Sequence, residues 1–211
     1  RQFAQRISTT LVTDAITQGQ IEGAVGPGGA ADAVTLTIYD QAGRARFTLR
    51  GKGDAATYPT TVSVTEQRYD GAGRVLSTWT YLSTMTLDLT TALKVSGGNG
   101  VEADMNAFVT ANVGNVLVAR NVYDAAGRLT GKVDGTGSFT RVWYDAANRV
   151  SVTRAFTSPI ATAGLSDATT VAQLDALIVW GATDDLRMYV YDAAGRQRYA
   201  LQAVGSPLVF P

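Results

Sequence analysis

Tyr123-Asp124-Ala125-Ala126-Gly127-Arg128 decides the fold, because the chain writes it repeatedly. The same string runs from Tyr191-Asp192 to Gly195-Arg196. Close copies run from Tyr39-Asp40 to Gly43-Arg44, from Tyr69-Asp70 to Gly73-Arg74 and from Tyr144-Asp145 to Asn148-Arg149. Five copies of Tyr-Asp-x-x-Gly/Asn-Arg in 211 residues mark a repeat architecture in which each copy is one supersecondary unit.

Each copy lies between runs rich in β-branched and aromatic residues, so it reads as the turn of a β-hairpin. Three loop residues ending in Gly fit a type I turn followed by one left-handed residue, the G1-bulge hairpin. Asp accepts a backbone N–H two residues on, and Gly supplies the positive φ. Asn148 takes the Gly position in the fourth copy, and Asn is the other residue that tolerates that conformation. Asp and Arg then face each other across the hairpin. Tyr points to the opposite face and is expected to pack on its own cross-strand partner, Leu129 for Tyr123 and Val150 for Tyr144. All five sets therefore read as structural residues, with no catalytic or metal-binding assignment.

The spacing carries a second period. From each Arg to the next Tyr, starting at Arg1, the lengths are 38, 25, 49, 16 and 42 residues, so long and short connections alternate. Helical patterns fall in the long ones: residues 8–18; residues 101–112, with Val101, Met105, Phe108 and Asn112 on one stripe; and residues 167–180. The last is expected to be capped by Ser166, to bury Val171, Leu174, Leu177 and Ile178, and to end at Gly181. Strands are expected over 34–39, 60–68, 75–89, 116–123, 129–133, 138–144, 150–156 and 186–191. Another follows Arg44, with Gly51-Lys52-Gly53-Asp54 as its turn. The unit is two motifs with one plain and one helix-bearing connection, about 70–85 residues in all. This divides the chain into a partial unit 1–38, then 39–122 and 123–190, and a partial unit 191–211. Arg1 reads as the Arg of an upstream motif, and another Tyr-Asp is expected soon after Pro211.

Composition narrows the chemistry. Apolar residues make up 45% and charged residues 17%, which excludes a disordered chain. Eighteen basic and 18 acidic residues cancel, so no basic excess points to nucleic acid. The chain has no Cys and no His. That removes disulfides, thiolate metal sites, the commonest general base and any conventional Ser-His-Asp triad. No apolar run reaches the roughly 18 residues of a membrane span. Gly26-Pro27-Gly28-Gly29 lacks the Lys-Ser/Thr of a phosphate loop and reads as a plain loop. Asp184-Asp185, near Asp175, is the densest carboxylate group and reads as a solvated helix end rather than a cation site. Asp134-Gly135-Thr136-Gly137 reads as a plain turn rather than a calcium loop. Trp79, Tyr81, Trp143 and Tyr144 read as core or sheet packing rather than a sugar-binding surface.

Residues 123–149, with Tyr123-Asp124-Ala125-Ala126-Gly127-Arg128-Leu129-Thr130, Gly137 and Tyr144-Asp145, resemble the YD repeat of RHS-type proteins. That family includes bacterial RHS toxins, toxin-complex shell components and animal teneurins. The resemblance implies a long β-sheet spiralling into a shell, which in the toxin members encloses a C-terminal toxin.

The expected fold is mainly β: repeated antiparallel hairpins in a spiralling, solenoid-like sheet, with short α-helical insertions in alternate repeats. The expected function is a non-enzymatic structural repeat module of a large secreted or cell-surface bacterial protein, acting as scaffold or shell in toxin delivery. The alternatives are an adhesin that binds glycans or proteins, and a self-assembling filament subunit. Expected partners are neighbouring repeats or other copies of the chain, with an encapsulated toxin domain or a surface glycan beyond them. No cofactor, nucleic acid or membrane span is expected.

Overall fold

The computed structural model describes residues 33–52, 60–87 and 99–204. The expected helix over 8–18 and the loop at Gly26 lie outside them. Within the described residues the chain forms ten strands: β1 Ala33–Tyr39, β2 Ala45–Lys52, β3 Thr60–Tyr69, β4 Val75–Leu87, β5 Val116–Tyr123, β6 Leu129–Val133, β7 Phe139–Tyr144, β8 Val150–Ala155, β9 Asp185–Tyr191 and β10 Gln197–Val204. They are hydrogen-bonded side by side in sequence order as one open sheet. Every pair with a resolved register is antiparallel. The protein is thus mainly β, as the motifs require.

Among the described residues two helices interrupt the meander, α1 at Asn99–Ala111 between β4 and β5 and α2 at Val171–Asp175 between β8 and β9. Both fall in long connections, as the alternation predicts. The chain divides into two compact units, one of Arg1–Gln67 with Trp79–Val116 and one of Arg68–Thr78 with Leu117–Pro211.

In the first unit, Phe47, Leu49, Val62, Val64 and Tyr81 from the strands bury against Met105 of α1, with Phe108 and Val109 alongside. Each such side chain contributes about 1.5–3 kcal/mol on leaving water. Inside this core Glu66 accepts hydrogen bonds from the Tyr81 hydroxyl at 2.9 Å and from Arg46 at 3.4 Å. Asn112 closes α1 by donating its side-chain amide to the Phe108 carbonyl. In the second unit, Val122, Val133 and Phe139 of the sheet meet Phe156, Ile160 and Leu174 of the long insertion between β8 and β9.

Four expectations are corrected. Of the expected turn Gly51-Lys52-Gly53-Asp54, Gly51 and Lys52 extend β2 and lie opposite Val34 and Ala33, while Gly53 and Asp54 lie outside the described residues. Helix 167–180 shrinks to Val171–Asp175. Thr170, not Ser166, caps it, through a capping box with Gln173. Ser166 instead exchanges hydrogen bonds with Ala168 and Thr169 in a preceding turn. Hydroxyl side chains that bond nearby backbone compete with helix, which delays the start. Leu177 then lies beyond the helix and is exposed.

Candidate functional site: the arginine–tyrosine ladder

The five motif turns share one geometry. In each, the Asp carbonyl accepts from the N–H of Gly or Asn three residues on, and the Asp N–H donates to the Arg carbonyl. Asp Oδ1 accepts two backbone N–H groups, for example from Ala126 and Arg128 at 3.0 and 2.9 Å in the third motif. Asp Oδ2 accepts from Arg Nε, at 2.6–2.9 Å across the five motifs. Gly43, Gly73, Gly127 and Gly195 have φ of 74–81°, and Asn148 has φ 62°.

The hydrogen bonds hold every motif carboxyl below the usual aspartate value. In Asp40, Asp70, Asp124 and Asp192 the backbone N–H of the motif Arg is the largest cause, and in Asp145 it is the Arg149 side chain. After each resolved turn the register slips by one residue. Tyr123 is opposite Leu129 while Val122 is opposite Gly131, and Tyr39, Tyr144 and Tyr191 repeat the pattern. The extra residue is a β-bulge, which increases local twist.

A sixth turn separates two jobs within the motif. Asp134-Gly135-Thr136-Gly137-Ser138 makes the same backbone bonds, the same two Oδ1 contacts and the same positive φ at Gly137. It has neither the Tyr nor the Arg. Asp and Gly therefore suffice to close the hairpin, and Tyr and Arg answer to something else.

What they do is join consecutive motifs. The Arg74 guanidinium lies 4.7 Å over the ring of Tyr123, Arg128 lies 4.6 Å over Tyr144, and Arg149 lies 4.4 Å over Tyr191. Each of these tyrosines also donates its hydroxyl to the carbonyl just after the preceding Arg: Tyr123 to Val75 at 3.1 Å, Tyr144 to Leu129 at 2.8 Å and Tyr191 to Val150 at 2.7 Å. The expected Cα pairings of Tyr123 with Leu129 and Tyr144 with Val150 are present. Beyond that pairing, ring and hydroxyl also engage the previous motif, a role the cross-strand expectation did not include.

The same Arg also senses the glycine of the next motif. A Cβ at Gly127 would sit 2.7 Å from Arg74 Nη1, and at Gly195 it would sit 3.7 Å from Arg149 Nη1. Where Asn148 replaces Gly, its Oδ1 accepts from Arg128 Nη1 at 2.6 Å. One arginine thus ties its own Asp, the next Tyr and, at this step, the next Asn.

Of the carboxylates expected at a solvated helix end, Asp175 is the exposed last residue of α2 and Asp185 is partly exposed, but Asp184 is not solvated. Asp184 is 3% exposed and pairs with Arg154 at 2.7 Å, while Asp185 pairs with Arg187 and Asp175 with Arg141. Burial pushes the Asp184 carboxyl up. The N–H groups of Thr157 and Gly181 and the Arg154 guanidinium outweigh it and hold it below the usual value. Arg154 also lies 4.4 Å over Trp180. Arg141 and Arg154 therefore fasten the long insertion to β7 and β8. Sequence reading missed both, because their partners are 34 and 30 residues away.

Tyr81 is buried, Trp79 packs against the first core, and Trp143 and Tyr144 lie under Arg141 and Arg128. Among the described residues no three acidic side chains group around a point where a cation could sit. No described helix is long and apolar enough to cross a membrane.

Residues 123–158 match the RHS Repeat family. The matched segment contains the third and fourth motifs and the ladder step from Arg128 to Tyr144. The resemblance read from the motifs is therefore supported independently of the fold. No curated protein matches the chain. Among solved structures, the chain is similar to a component of the crystal structure of TcdB2-TccC3-Cdc42, at 14% identity and a TM-score of 0.35, covering 82% of this chain and 9% of that one. It is also similar to a component of the Photorhabdus luminescens Tc holotoxin pore with a mutated TccC3, at 12% identity and a TM-score of 0.32, covering 83% of this chain and 10% of that one. The chain spans about a tenth of the length of each.

Proposed function

We propose that this RHS-repeat chain is a non-enzymatic structural module of a large secreted or cell-surface bacterial protein, and that it builds the wall of a scaffold or shell in toxin delivery. The observation that carries this reading is the ladder. The motif residues, the most regular chemistry in the chain, are spent on fastening one hairpin to the next and leave no group poised for a substrate. A cation–π contact capped by a hydrogen bond at three successive steps gives a stiff, extendable sheet. In this reading the division into units 39–122 and 123–190 follows the alternation of plain and helix-bearing connections.

The test uses the natural polypeptide that carries these repeats. Under the shell reading, limited proteolysis spares the polypeptide segment enclosed by the repeats until the repeats themselves unfold. A segment cut as fast in the whole protein as in isolation rejects the shell. Binding to a defined glycan array by the same preparation would favour the adhesin instead.

A further inference from the structure

The long insertion between β8 and β9 meets the sheet through a series of carboxylates. Arg154 on β8 donates its Nε–H to Asp184 at 2.9 Å, and Arg141 on β7 donates its Nε–H to Asp175 at 3.0 Å. Going back along the insertion, the next acidic residue is Asp167. Going back across the sheet, the next buried arginine is Arg120 on β5. Insertion and sheet thus offer a third pair in the same order.

Arg120 faces the core. It lies opposite Val133 and two residues before Val122, on the same side of the strand, and both valines are buried. Its Nη1 makes one long hydrogen bond, to the Val118 carbonyl at 3.4 Å, and its Nε makes none within the protein. Asp167 sits in the turn at Ser166–Thr169. The Thr169 N–H closes that turn on the Ser166 carbonyl, and the Ser166 and Thr169 hydroxyls accept two further N–H groups. Leu165 before the turn and Val171 after it pack against the second core. The carboxylate is therefore held in place, and its Oδ1 is buried without a hydrogen-bond partner.

Among the described residues, Arg120 Nε and Asp167 Oδ1 are the buried side-chain polar atoms left without a partner. One is a donor and the other an acceptor, and they belong to groups of opposite charge. Burial lowers the Arg120 guanidinium below its usual value, Asp167 opposes that loss, and Arg68 adds to it. Yet no nitrogen of Arg120 comes within 4.0 Å of an Asp167 oxygen, the reach of a direct ion pair. Two buried charged groups left unbonded are costly, so the gap calls for an occupant. That occupant must accept one hydrogen bond and donate another. A halide or a carboxylate only accepts, and Asp167 would repel it. A metal ion cannot accept from an N–H. Water does both, and it fits a space that bulk solvent does not reach.

We infer that an internal water molecule is bound between Arg120 Nε and Asp167 Oδ1, accepting from the guanidinium and donating to the carboxylate. The insertion is then fastened to the sheet by two direct clasps and a third that is wet. Asp167 is a positioning residue for this site, since it holds the water that holds Arg120. The site stands on the clasps at Asp175 and Asp184 and not on the shell reading. A carboxylate one methylene longer at position 167 reaches the place the water occupies.

Nuclear magnetic resonance on the 211-residue chain, labelled with nitrogen-15 and carbon-13, tests this. The Arg120 Nε–H proton is assigned by its disappearance in Arg120→Lys. It should show a rotating-frame cross-peak to water, of the sign that marks close contact rather than proton exchange. The Nε–H of Arg154, whose side chain is 1% exposed and bonded directly to Asp184, should show none. In Asp167→Glu the Arg120 cross-peak should vanish and its Nε–H should move downfield, as a direct charge-assisted bond takes over. Absence of the water cross-peak at Arg120 in the wild-type chain overturns the site. So does a through-bond coupling from Arg120 Nε to the Asp167 carboxyl carbon, which would show a dry ion pair. A cross-peak that persists unchanged in Asp167→Glu overturns Asp167 as the water's second partner. The wild-type spectrum decides the hydration by itself, whether or not the Glu variant folds.

Discussion

The guanidinium of Arg128 lies 4.6 Å over the ring of Tyr144, sixteen residues later, while Tyr144 returns its hydroxyl to the Leu129 carbonyl beside that arginine. The two residues hold each other through one aromatic face and one hydrogen bond. Because their motifs are consecutive, the pair is a link between hairpins rather than part of either turn.

A double-mutant cycle on Arg128→Ala and Tyr144→Phe tests that link. Tyr144→Phe keeps the ring and loses the hydrogen bond, which costs about 1 kcal/mol. Tyr144→Ala in place of Phe also removes the ring, and its coupling to Arg128→Ala should be about 0.5–1 kcal/mol larger. Urea denaturation of the four proteins of each cycle gives the coupling directly. Additivity within error would mean that the stacking is geometric only.

The left-handed position separates turn closure from linkage. Gly127→Ala should destabilise by about 1–2 kcal/mol, because its φ of 81° suits no Cβ and Arg74 Nη1 occupies the space. Asn148→Gly should be close to neutral. It relieves the φ of 62° but gives up the 2.6 Å hydrogen bond from Arg128. Asn148→Ala gains nothing and loses both, so it should be the least stable of the three by thermal melting.

Asp184→Ala should be the most damaging single change away from the motifs, at about 3–5 kcal/mol. It strands the Arg154 guanidinium in a site where both side chains are 1% exposed, and it frees the N–H groups of Thr157 and Gly181. Arg154→Met with Asp184→Ala should recover part of the loss, since the second change then leaves no buried charge. Chemical denaturation of the single and double variants measures this, and a double variant worse than the sum of the singles would contradict it.

Stability should be flat through neutral pH, where no histidine titrates, and fall only in acid. The motif carboxyls and Asp184 are held below their ordinary value of 3.8 by the fold. A lowered folded-state value means the unfolded chain binds protons first. The stabilisation is therefore complete above about pH 4 and lost as pH drops through the folded values. Denaturation midpoints across a pH series should show one acid limb starting below 3.8, and a loss beginning near pH 6 would contradict this assignment.

Local chemistry was legible in the sequence and distant chemistry was not. Asp124, Gly127 and Arg128 are within four residues of one another, so the turn could be read without knowing where the chain goes next. Asn148 was legible for the same reason, as the residue that tolerates a left-handed backbone. Hydrophobic stripes inside the long connections located α1 and part of α2. The link of Tyr144 to Arg128 was not read because that arginine belongs to another hairpin, and a cross-strand argument looks only inside one. A signal was available: Tyr and Arg travel together in five turns and are both missing from the sixth at Asp134, so they had to serve each other across repeats. The later start of α2 was illegible because Ser166 and Thr169 bond each other's neighbourhood in a preceding turn, which leaves the cap to Thr170. Asp184 was illegible because only the folded sheet brings Arg154 to it.

The turn at Asp134–Ser138, which closes without Tyr or Arg, has one more consequence. Closing a hairpin and fastening it to its neighbour are written in different letters of the motif, and the fastening letters are the same at each observed joint. Such a chain can grow or shrink by duplicating or deleting a whole hairpin, because a new joint arrives with both of its halves already made. What differs between repeats, from a 16-residue connection to one of 49, lies between the joints. Novelty can accumulate there while the seam stays unchanged.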